Sequence, residues 1–503
     1  MQIIWLLLLT QLAAVCRSAA AQCNPLSNSR LPRIFVLTDI SNEPDDQESL
    51  VRLLVHSDLY NVTGLTAVTS YWLNYTTFPG QIQEVVGNYS LIHSNLQAQS
   101  EGSFPTPEYL NSITFSGPAV YGLAALNGSL ANGTNHLIAV VDSSNEPLYV
   151  QAWGGVNTLA QALNHVSQTR NQAAVDAFTS KLRVYTISDQ DNSGFWIRKS
   201  YPLIQYVSSV HAWNFYGDAT WVGISGETYY PFDQGGPDTS LVTKQWLAQH
   251  IQIGPLGNAS YLTPAFIMEG DSPSLLFTLQ NGLNSPAHPE YGSWGGRYGL
   301  ADISRASGNH FSDVVDYVTT SNGTFVSNKA TVWRWREAYQ SEFAARMQWT
   351  LTSNRSAENV QHPPVVVVNN SCGYEPLTIK VYPSQDIVLD ASDSFSTDNA
   401  SLSYSWFHYQ EPSLTQTNLL EVPQIPIKCI NPDCKQVSLQ VSNVTLACAA
   451  PQALRSNPEA ITCKDYHIIL TVRNNQTLGM SRYKRVILDV QKPANLTEGS
   501  MRI

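Results

Sequence analysis

The sequence predicts an α/β domain with a doubly wound, mostly parallel sheet, followed by a smaller β-sandwich. Three observations predict this fold. Between residues 31 and 353, short apolar runs alternate with longer amphipathic ones, which is typical of repeated βαβ units. Beyond Pro364, short β-branched runs are separated by turn residues. The 503 residues suffice for two or three folding units.

The elements of the α/β domain follow from the spacing of its apolar residues. Residues 47–56 place Leu50, Leu53 and Leu54 on one stripe of a helix. Short apolar runs that predict strands lie at 34–37, 64–69, 149–153, 182–187, 206–211 and 265–269.

A Trp- and Arg-rich segment, residues 332–349, predicts the helix that closes this domain. Its Trp335, Tyr339 and Phe343 recur every four residues, which indicates a buried stripe. The segment after it is polar and ends in His-Pro-Pro, a composition typical of a linker. We therefore predict an α/β domain over 22–353, a linker over 354–364 and a β domain over 365–503.

The β domain is predicted from runs of β-branched and aromatic residues, at 365–368, 378–381, 387–389, 403–407 and 468–472. Its segments Val-Leu-Asp-Ala-Ser-Asp-Ser (388–394) and Leu-Ser-Tyr-Ser-Trp (402–406) resemble the PKD-type Ig-like modules of extracellular carbohydrate-active proteins. The resemblance implies an Ig-like β-sandwich that spaces or stabilises, without a catalytic role.

The N-terminus and the sequons predict a secreted glycoprotein. Residues 1–21 combine an apolar stretch with a small-residue cleavage site, which predicts a signal peptide. The chain also contains thirteen N-x-[ST] sequons. Their asparagines are Asn61, Asn74, Asn88, Asn127, Asn132, Asn258, Asn322, Asn354, Asn369, Asn399, Asn443, Asn475 and Asn495.

Cysteine usage points to the same compartment. Removal of Cys16 with the signal peptide leaves six cysteines, an even number that allows 15 pairings. We favour Cys429 with Cys434 and Cys448 with Cys463, which leaves Cys23 for Cys372. A zinc site is disfavoured because no Cys-x-x-Cys is present.

Charge and hydropathy exclude two classes of partner. The chain has 39 acidic and 28 basic residues, a formal net charge of −11, and no basic run that could neutralise successive phosphates. A nucleic acid polymer is therefore not an expected partner. After the signal peptide, no stretch approaches the ~20 apolar residues of a membrane span. We expect an extracellular protein without a membrane segment.

The most informative segment is the loop after the first predicted strand, which contains four carboxylates: Asp39, Glu43, Asp45 and Asp46. Close carboxylates share a proton, bind a cation or turn into water, although Asp45 and Asp46 could instead cap the following helix. Polar residues follow other predicted strands and would lie on the same rim of the sheet, where ligands bind. These residues are Asn157, Asp189, Asp191 and Asp271. Together they favour a cation site.

Three short motifs carry a family resemblance. Asp39 with the Asp45-Asp46 pair resembles the N-terminal aspartate signature of nucleoside hydrolases, with a two-residue insertion. The segment 153–160 is similar to the family's Gly-Pro-Leu-Thr-Asn turn, and Glu-Gly-Asp-Ser-Pro (269–273) is similar to its His-Asp-Pro stretch. With Trp-Gly-Gly-Arg (294–297) and the Ig-like module, nearly the whole mature chain resembles secreted nucleoside-hydrolase-like proteins, some described as cellulose-binding.

The resemblance implies a calcium-dependent hydrolase. Asp39 would bind Ca²⁺ and act as the base for a water molecule, with Asp46 and Asp271 as carboxylate ligands. Asn157 would contribute its backbone carbonyl, and Asp45 would bond to a sugar hydroxyl. The expected substrate is a carbohydrate or glycoside whose O- or N-glycosidic bond is cleaved with inversion.

The chain departs from that family at Gly270, where nucleoside hydrolases often have a histidine that protonates the leaving group. Glu269, Glu43 and Asp191 are the candidates for this proton donor. Further predicted substrate contacts are Asp189, Trp72 and Trp294, of which the tryptophans could stack on sugar rings or lie in the core. Arg297 is either an anchor for an acidic sugar or a structural ion-pair partner.

Two alternative functions compete with hydrolysis of a glycoside. A serine esterase is disfavoured because the Gly-Asp-Ser at 270–272 is not followed by an Asp-x-x-His. The stronger alternative is a non-catalytic polysaccharide-binding protein, for example a cellulose binder, which retains the fold. Loss of the histidine favours binding, whereas retention of every aspartate favours an enzyme.

Overall fold

The computed structural model describes residues 23–26, 30–226, 228, 230–302, 304, 306–413, 422–449 and 462–494. The predicted signal peptide lies outside these described residues. The chain forms two compact units. The α/β unit comprises Leu31–Gln280 and Asn284–Val360, and the β unit comprises Met1–Arg30, Asn281–Leu283 and Gln361–Ile503. The end of the α/β unit at Val360 falls inside the segment predicted as a linker.

An eight-stranded sheet organises the α/β unit. Its strands are β1 (Arg33–Thr38), β2 (Asn61–Ala67), β3 (Thr114–Ser116), β4 (Leu148–Ala152), β5 (Leu182–Thr186), β6 (Gln205–Val207), β7 (Tyr298–Leu300) and β8 (His310–Asp313). Their order is β3-β2-β1-β4-β5-β6-β8-β7, and every neighbouring pair is parallel except β7 with β8. The predicted doubly wound, mostly parallel sheet is confirmed.

Two predicted strands differ in the structure. Residues 265–269 form no strand, because Phe266 and Glu269 adopt positive φ angles of 64° and 50°, which an extended strand does not accommodate. The strand predicted over 206–211 ends at Val207, and a 3₁₀ turn, Val210–Trp213, follows it.

The helices of the α/β unit connect these strands. They are α1 (Pro44–Val55), α2 (Pro79–Ser90), α3 (His93–Gln99), α4 (Pro107–Ser112), α5 (Asn132–Asp142), α6 (Asn157–Thr169), α7 (Gln172–Thr179), α8 (Ser193–Ser200), α9 (Lys244–His250), α10 (Gly254–Ser260), α11 (Ser272–Thr278), α12 (Ala330–Trp333) and α13 (Arg336–Trp349). The predicted stripe of Leu50, Leu53 and Leu54 is buried on α1. The aromatic stripe predicted for the last helix of this domain lies at α13. Trp335 directly precedes α13, and Tyr339 and Phe343 are buried side chains of that helix.

The strand order places a crevice at the centre of the sheet. β1 lies between β2 and β4, and the chain runs outward in opposite directions from β1 and β4. At such a reversal, the loops that follow the carboxyl ends of the two strands separate and leave room for a ligand. Every residue of β1 is buried, so the loop that follows it starts from a rigid base.

The β unit contains two sheets that share an apolar core. Its main strands are β11 (Leu377–Val381), β12 (Asp386–Asp390), β13 (Leu402–Tyr409), β14 (Ile427–Cys429), β15 (Gln436–Gln440), β18 (Asp465–Asn474) and β19 (Ser481–Val490). One sheet has the order β11-β19-β18-β13 and the other β12-β15-β14. Residues of both sheets, such as Leu389, Val437 and Leu470, pack in one cluster. The predicted β-sandwich is confirmed.

Smaller elements complete both units. The α/β unit also has a hairpin of β9 (Asp316–Thr320) and β10 (Gly323–Ser327), and the β unit has the short pair β16 (Cys448–Ala449) and β17 (Thr462–Cys463) with helix α14 (Val444–Ala447). The strand predicted over 365–368 is absent. Val365 and Val368 form only isolated bridges, because positive φ angles at Asn369 and Asn370 turn the chain.

The three favoured disulfides are confirmed. The structure joins Cys23 to Cys372, Cys429 to Cys434, and Cys448 to Cys463, and all six cysteines belong to the β unit. Asn495 lies outside the described residues, and eleven of the twelve other sequon asparagines are exposed, Asn88 being the partly buried one. Within the described part of the chain, no helix has the length and apolarity needed to cross a bilayer.

Candidate functional site

The loop between β1 and α1 holds the acidic side chains in place through its own hydrogen bonds. The Ile40 N–H donates to Thr38 Oγ1 at 3.1 Å, and the Thr38 hydroxyl donates to the Asp46 carboxylate. The turn between them is closed by the Asn42 N–H, which donates to the Asp39 carbonyl at 3.3 Å. Asp39 and Asp46 are therefore held near the end of the same buried strand.

Asp271 joins this group from a distant part of the sequence. It directly precedes α11, and one carboxylate oxygen from each of Asp45, Asp46 and Asp271 lies within 4.8 Å of the other two. All three side chains are buried or nearly so. The structure thus brings together residues that are about 225 positions apart in the sequence.

Two glycines make room for these carboxylates. A Cβ added at Gly154, which follows β4, would lie 2.7 Å from Asp39 Oδ1. A Cβ added at Gly270 would lie 2.7 Å from Asp45 Oδ2. Real Cβ atoms do not approach carboxylate oxygens so closely, since van der Waals contact begins about 0.7 Å further out. A histidine at position 270 would therefore displace the Asp45 carboxylate.

Burial and mutual repulsion change the acidity of the cluster. Burial raises the pKa of Asp39 to about 6 and that of Asp45 to about 8. Burial, followed by the charges of the other aspartates, raises the pKa values of Asp46 and Asp271 well above their ordinary range. The four carboxylates therefore cannot all be charged at neutral pH unless a cation compensates them.

The group fits a hard divalent cation. Asp271 Oδ2 is buried and has no hydrogen-bond partner, although an unpaired buried carboxylate oxygen is costly. Asp45 and Asp46 present further oxygens at ligating separation. Carboxylate oxygens without nitrogen or sulfur donors are the ligands that Ca²⁺ and Mg²⁺ prefer.

The cluster lies at the floor of a cavity of about 320 Å³. Five of the fifteen described lining residues are acidic, six are aromatic, and none is Lys, Arg or His. They are Asp39, Asn42, Glu43, Asp45, Asp46, Trp72, Trp153, Ile187, Gln190, Tyr216, Trp221, Tyr230, Phe266, Ile267 and Asp271. The cavity is therefore strongly acidic at its floor and aromatic elsewhere.

Aromatic side chains form the rim. The Trp72 indole N–H donates to the Tyr216 hydroxyl at 3.2 Å, and the Tyr216 ring contacts Trp221 at 5.5 Å between centroids. Trp72 and Phe266 remain 53% and 64% exposed. Of these, the sequence predicted only Trp72. Tyr216 and Trp221 lie in short 3₁₀ helices and Tyr230 lies in an irregular segment, where no hydrophobic period indicates which way a side chain points.

Three predicted substrate contacts lie elsewhere in the α/β unit. Trp294 is fully buried. Arg297 is also buried and forms an ion pair with Asp316 at 2.7 Å, the structural partner that was one of its two predicted roles. Glu269 forms a buried ion pair with Arg52 and accepts a hydrogen bond from the Tyr261 hydroxyl at 2.7 Å. None of the three lines the cavity.

The predicted residues after β4 and β5 support the rim without lining it. Asp189 forms an ion pair with Arg198, and Asp191 accepts from the backbone N–H groups of Asn157, at 3.1 Å, and Ser193, at 2.8 Å. Asn157 begins α6, and its buried amide donates to the Thr69 hydroxyl and to two backbone carbonyls. Gln190, which lies between Asp189 and Asp191 in the sequence, does line the cavity.

Comparison with known proteins gives family matches in both units. Residues 33–298 match the family model of the cellulose-binding Sde182 nucleoside hydrolase-like domain. Residues 386–490 match the model of the C-terminal domain of the cellulose-binding protein Sde0182. No curated protein matches the chain.

One solved structure agrees with these matches over nearly the whole chain. A nucleoside hydrolase-related protein from Saccharophagus degradans, described as associated with carbohydrate metabolism, is 31% identical. The alignment covers 92% of this chain and 100% of that one, with a TM-score of 0.72. An inosine-uridine preferring nucleoside hydrolase from Bacillus anthracis is 12% identical over 63% of this chain and 100% of its own, with a TM-score of 0.31. The chain therefore belongs to the cellulose-binding Sde182 family, whose members have a nucleoside hydrolase-like domain.

Proposed function

We propose that this protein is a secreted, calcium-dependent hydrolase that cleaves an O- or N-glycosidic bond in a carbohydrate or glycoside. The observation that carries the proposal is the cluster of Asp45, Asp46 and Asp271 at the floor of an aromatic-rimmed cavity, with one Asp271 oxygen unpartnered. Exposed sequons and three disulfides support the extracellular location.

Asp46 and Asp271 are the proposed core of the cation site. Asp39, which lines the same cavity, completes the carboxylate set that the family resemblance implies, and Asp45 lies close enough to contribute as well. The resemblance also implies the Asn157 backbone carbonyl, but Asn157 does not line the cavity. When bound there, calcium would lower the pKa of a water molecule and orient vicinal sugar hydroxyls.

Asp39 is the proposed base. Burial raises its pKa to about 6 in the metal-free protein, and a bound cation would favour the ionised carboxylate that accepts a proton from water. A hydrogen bond from the Ser70 hydroxyl orients it. Asp45 is proposed to bond to a sugar hydroxyl. Because Asp39 acts from one face of the sugar, we expect inversion at the anomeric carbon.

Glu43 is the proposed proton donor for the leaving group. Of the three candidates, Glu269 is held by Arg52 and Asp191 by two backbone N–H groups, whereas Glu43 lines the cavity. Glu43 precedes α1 but makes no capping bond with its side chain, and burial raises its pKa. A raised pKa favours the protonated form that a leaving-group acid requires.

The proposal is tested by measuring release of reducing sugar or free base from nucleosides, plant and fungal polysaccharides and aryl glycosides. We expect release in the presence of calcium and its loss in EDTA, with recovery when calcium is restored. Release that is indifferent to EDTA would contradict the metal-assisted reaction.

Carbohydrate binding without turnover is the second candidate function. The family's description as cellulose-binding favours it, as does Gly270, which leaves no histidine beside Asp271. Retention on an insoluble polysaccharide without product release from any substrate of the panel would establish this alternative.

The buried carboxylates predict an unusual dependence of stability on pH. Burial raises the pKa of Asp39 to about 6 and that of Asp45 to about 8, from ordinary values of 3.8. A carboxyl group whose pKa is higher in the folded than in the unfolded protein favours the fold while it is protonated. Its stabilising contribution is complete below the pKa of the unfolded state and is lost as the pH rises through the pKa of the folded state. In EDTA, Tm is therefore expected to fall between pH 4 and pH 8.

Thermal unfolding with and without calcium checks this prediction. The increase in Tm caused by calcium should grow over the same interval, because the cation compensates charges that protons no longer neutralise. A calcium increment that shrinks as the pH rises would contradict the assignment of these carboxylates to the cation site.

A further inference from the structure

Two exposed rings extend the aromatic rim beyond the cavity. The Tyr71 ring meets Trp72 edge-on, with 5.0 Å between centroids and an interplanar angle of 86°. The Phe215 ring meets Tyr230 in the same manner, at 6.1 Å and 75°. Neither Tyr71 nor Phe215 lines the cavity, but each contacts a ring that does. The aromatic surface therefore continues outward from two points of the rim.

These outer rings remain largely in water. Tyr71 is 62% exposed and Phe215 is 56% exposed. The hydrophobic stabilisation that a ring contributes is proportional to the apolar area it removes from water, so core packing does not account for rings left in this position. The Phe215 ring also lies against Gly217, where an added Cβ would be 2.4 Å from it. An exposed aromatic surface beside a concave site is typical of a binding surface.

The charge of the cavity selects an uncharged ligand. Five carboxyl groups line it, more than the two charges of one bound calcium ion would neutralise, and no described basic residue does, so a uronic acid or phosphate group would meet net repulsion. Arg297, the predicted anchor for an acidic sugar, is committed to Asp316. Sugar hydroxyls can instead donate to the carboxylates, while the apolar face of a sugar ring stacks on an aromatic ring.

The cavity is small, so a ligand of several sugar units must extend beyond its rim. A volume of about 320 Å³ is at the lower end of the range of about 300–1,000 Å³ for small-molecule pockets. A chain that occupies the cavity with one segment must pass the rim with the next. Trp72 and Tyr230, which border the cavity, lead directly to Tyr71 and Phe215.

We propose that Tyr71 and Phe215 form outer subsites that stack on sugar units flanking those in the cavity, so that the ligand is an uncharged oligosaccharide or polysaccharide chain. This inference rests on the carbohydrate ligand of the proposed function. In this proposal the two rings increase affinity for the sugar chain, and the acidic cluster carries out the reaction.

The test compares binding of short and long chains by calorimetry. The probes are cello-, xylo- and laminari-oligosaccharides of two to six units, with oligogalacturonides of the same lengths as anionic probes. Calcium is present, and Asp39→Asn is included in every variant to prevent cleavage. The variants are Tyr71→Ala, Phe215→Ala, the double replacement and the conservative pair Tyr71→Trp and Phe215→Tyr. Leu203→Ala is the control, since Leu203 is 82% exposed in the same unit.

For the neutral series that binds, the double alanine variant is expected to weaken binding of the six-unit chain about tenfold or more, because stacking on two rings is lost. Binding of the two-unit chain should change less than twofold, and the conservative pair should retain long-chain affinity. The inference is overturned if short and long chains lose affinity equally, if neither loses affinity, or if the charged chains bind as well. Failure of every neutral series to bind overturns it too.

Turnover measured separately distinguishes the two proposals. Calcium-dependent cleavage of an aryl glycoside, with no effect of the outer rings on long chains, would overturn the subsites and leave the hydrolase. Loss of long-chain affinity in the double variant, with no product release by the wild-type protein, would support the subsites and overturn the hydrolase.

Discussion

Asp39→Asn is expected to lower kcat by a factor of about 10²–10⁴, the usual contribution of a positioned general base. The substitution keeps the size of the side chain and its place beside Gly154, but the amide cannot accept the proton. KM should change little, because the aromatic rim is intact. Initial rates on the best substrate of the activity panel, at saturating calcium, provide the measurement.

The matched control for this variant is Asp176→Asn, which makes the same chemical change at an exposed position on α7. Its kcat should equal that of the wild type. Circular dichroism and Tm show whether the Asp39 variant is folded. A folded Asp39→Asn protein with wild-type kcat would exclude Asp39 as the base and leave the cation site to be tested separately.

Asp271→Asn is expected to reduce calcium affinity at least about 100-fold, because second-sphere changes alone cost 10–100-fold and this change removes a ligating charge. It should also raise the Tm of the metal-free protein. Asp271 is a buried carboxyl whose Oδ2 has no partner and whose pKa is raised by burial and by the neighbouring aspartates. Calorimetric titration with calcium and thermal unfolding in EDTA measure the two effects.

Asp271→Asn is expected to lower calcium affinity but to raise the metal-free Tm. This combination indicates a cation ligand, because replacement of a purely structural residue would lower the Tm. Asp46→Ala should also abolish calcium binding, but it removes the acceptor of the Thr38 hydroxyl and is therefore expected to lower the metal-free Tm. Glu84→Gln, an exposed change on α2, should alter neither quantity. Unchanged calcium affinity in both Asp271→Asn and Asp46→Ala would exclude the proposed site.

The sequence allowed the acidic half of the cavity to be predicted because it follows buried strands. Asp39 directly follows β1, whose apolar run is unmistakable, and the paired Asp45 and Asp46 begin a helix with a clear leucine stripe. Parallel strands expose their carboxyl ends at one edge, so the position of this half follows from the order of elements. Asp271 was predicted both from its place after a strand over 265–269, which does not form, and from the motif around it.

The aromatic half could not be predicted in the same way. Trp72 and Trp294 were both predicted to lie in loops and to contact the ligand, yet one is half exposed on the rim and the other is fully buried. Tyr216, Tyr230 and Phe266 lie in segments without a hydrophobic period. Their direction depends on packing between segments that are distant in the sequence, which local spacing does not encode.

The close approach of Gly270 to Asp45 limits the side chains that position 270 can carry without rearranging the acidic cluster. The first atom of any side chain there would lie 2.7 Å from Asp45 Oδ2, so the Asp45 carboxylate would have to move aside. A histidine introduced at position 270 would therefore disturb the proposed cation site. A proton donor compatible with that site is expected to come from another side chain.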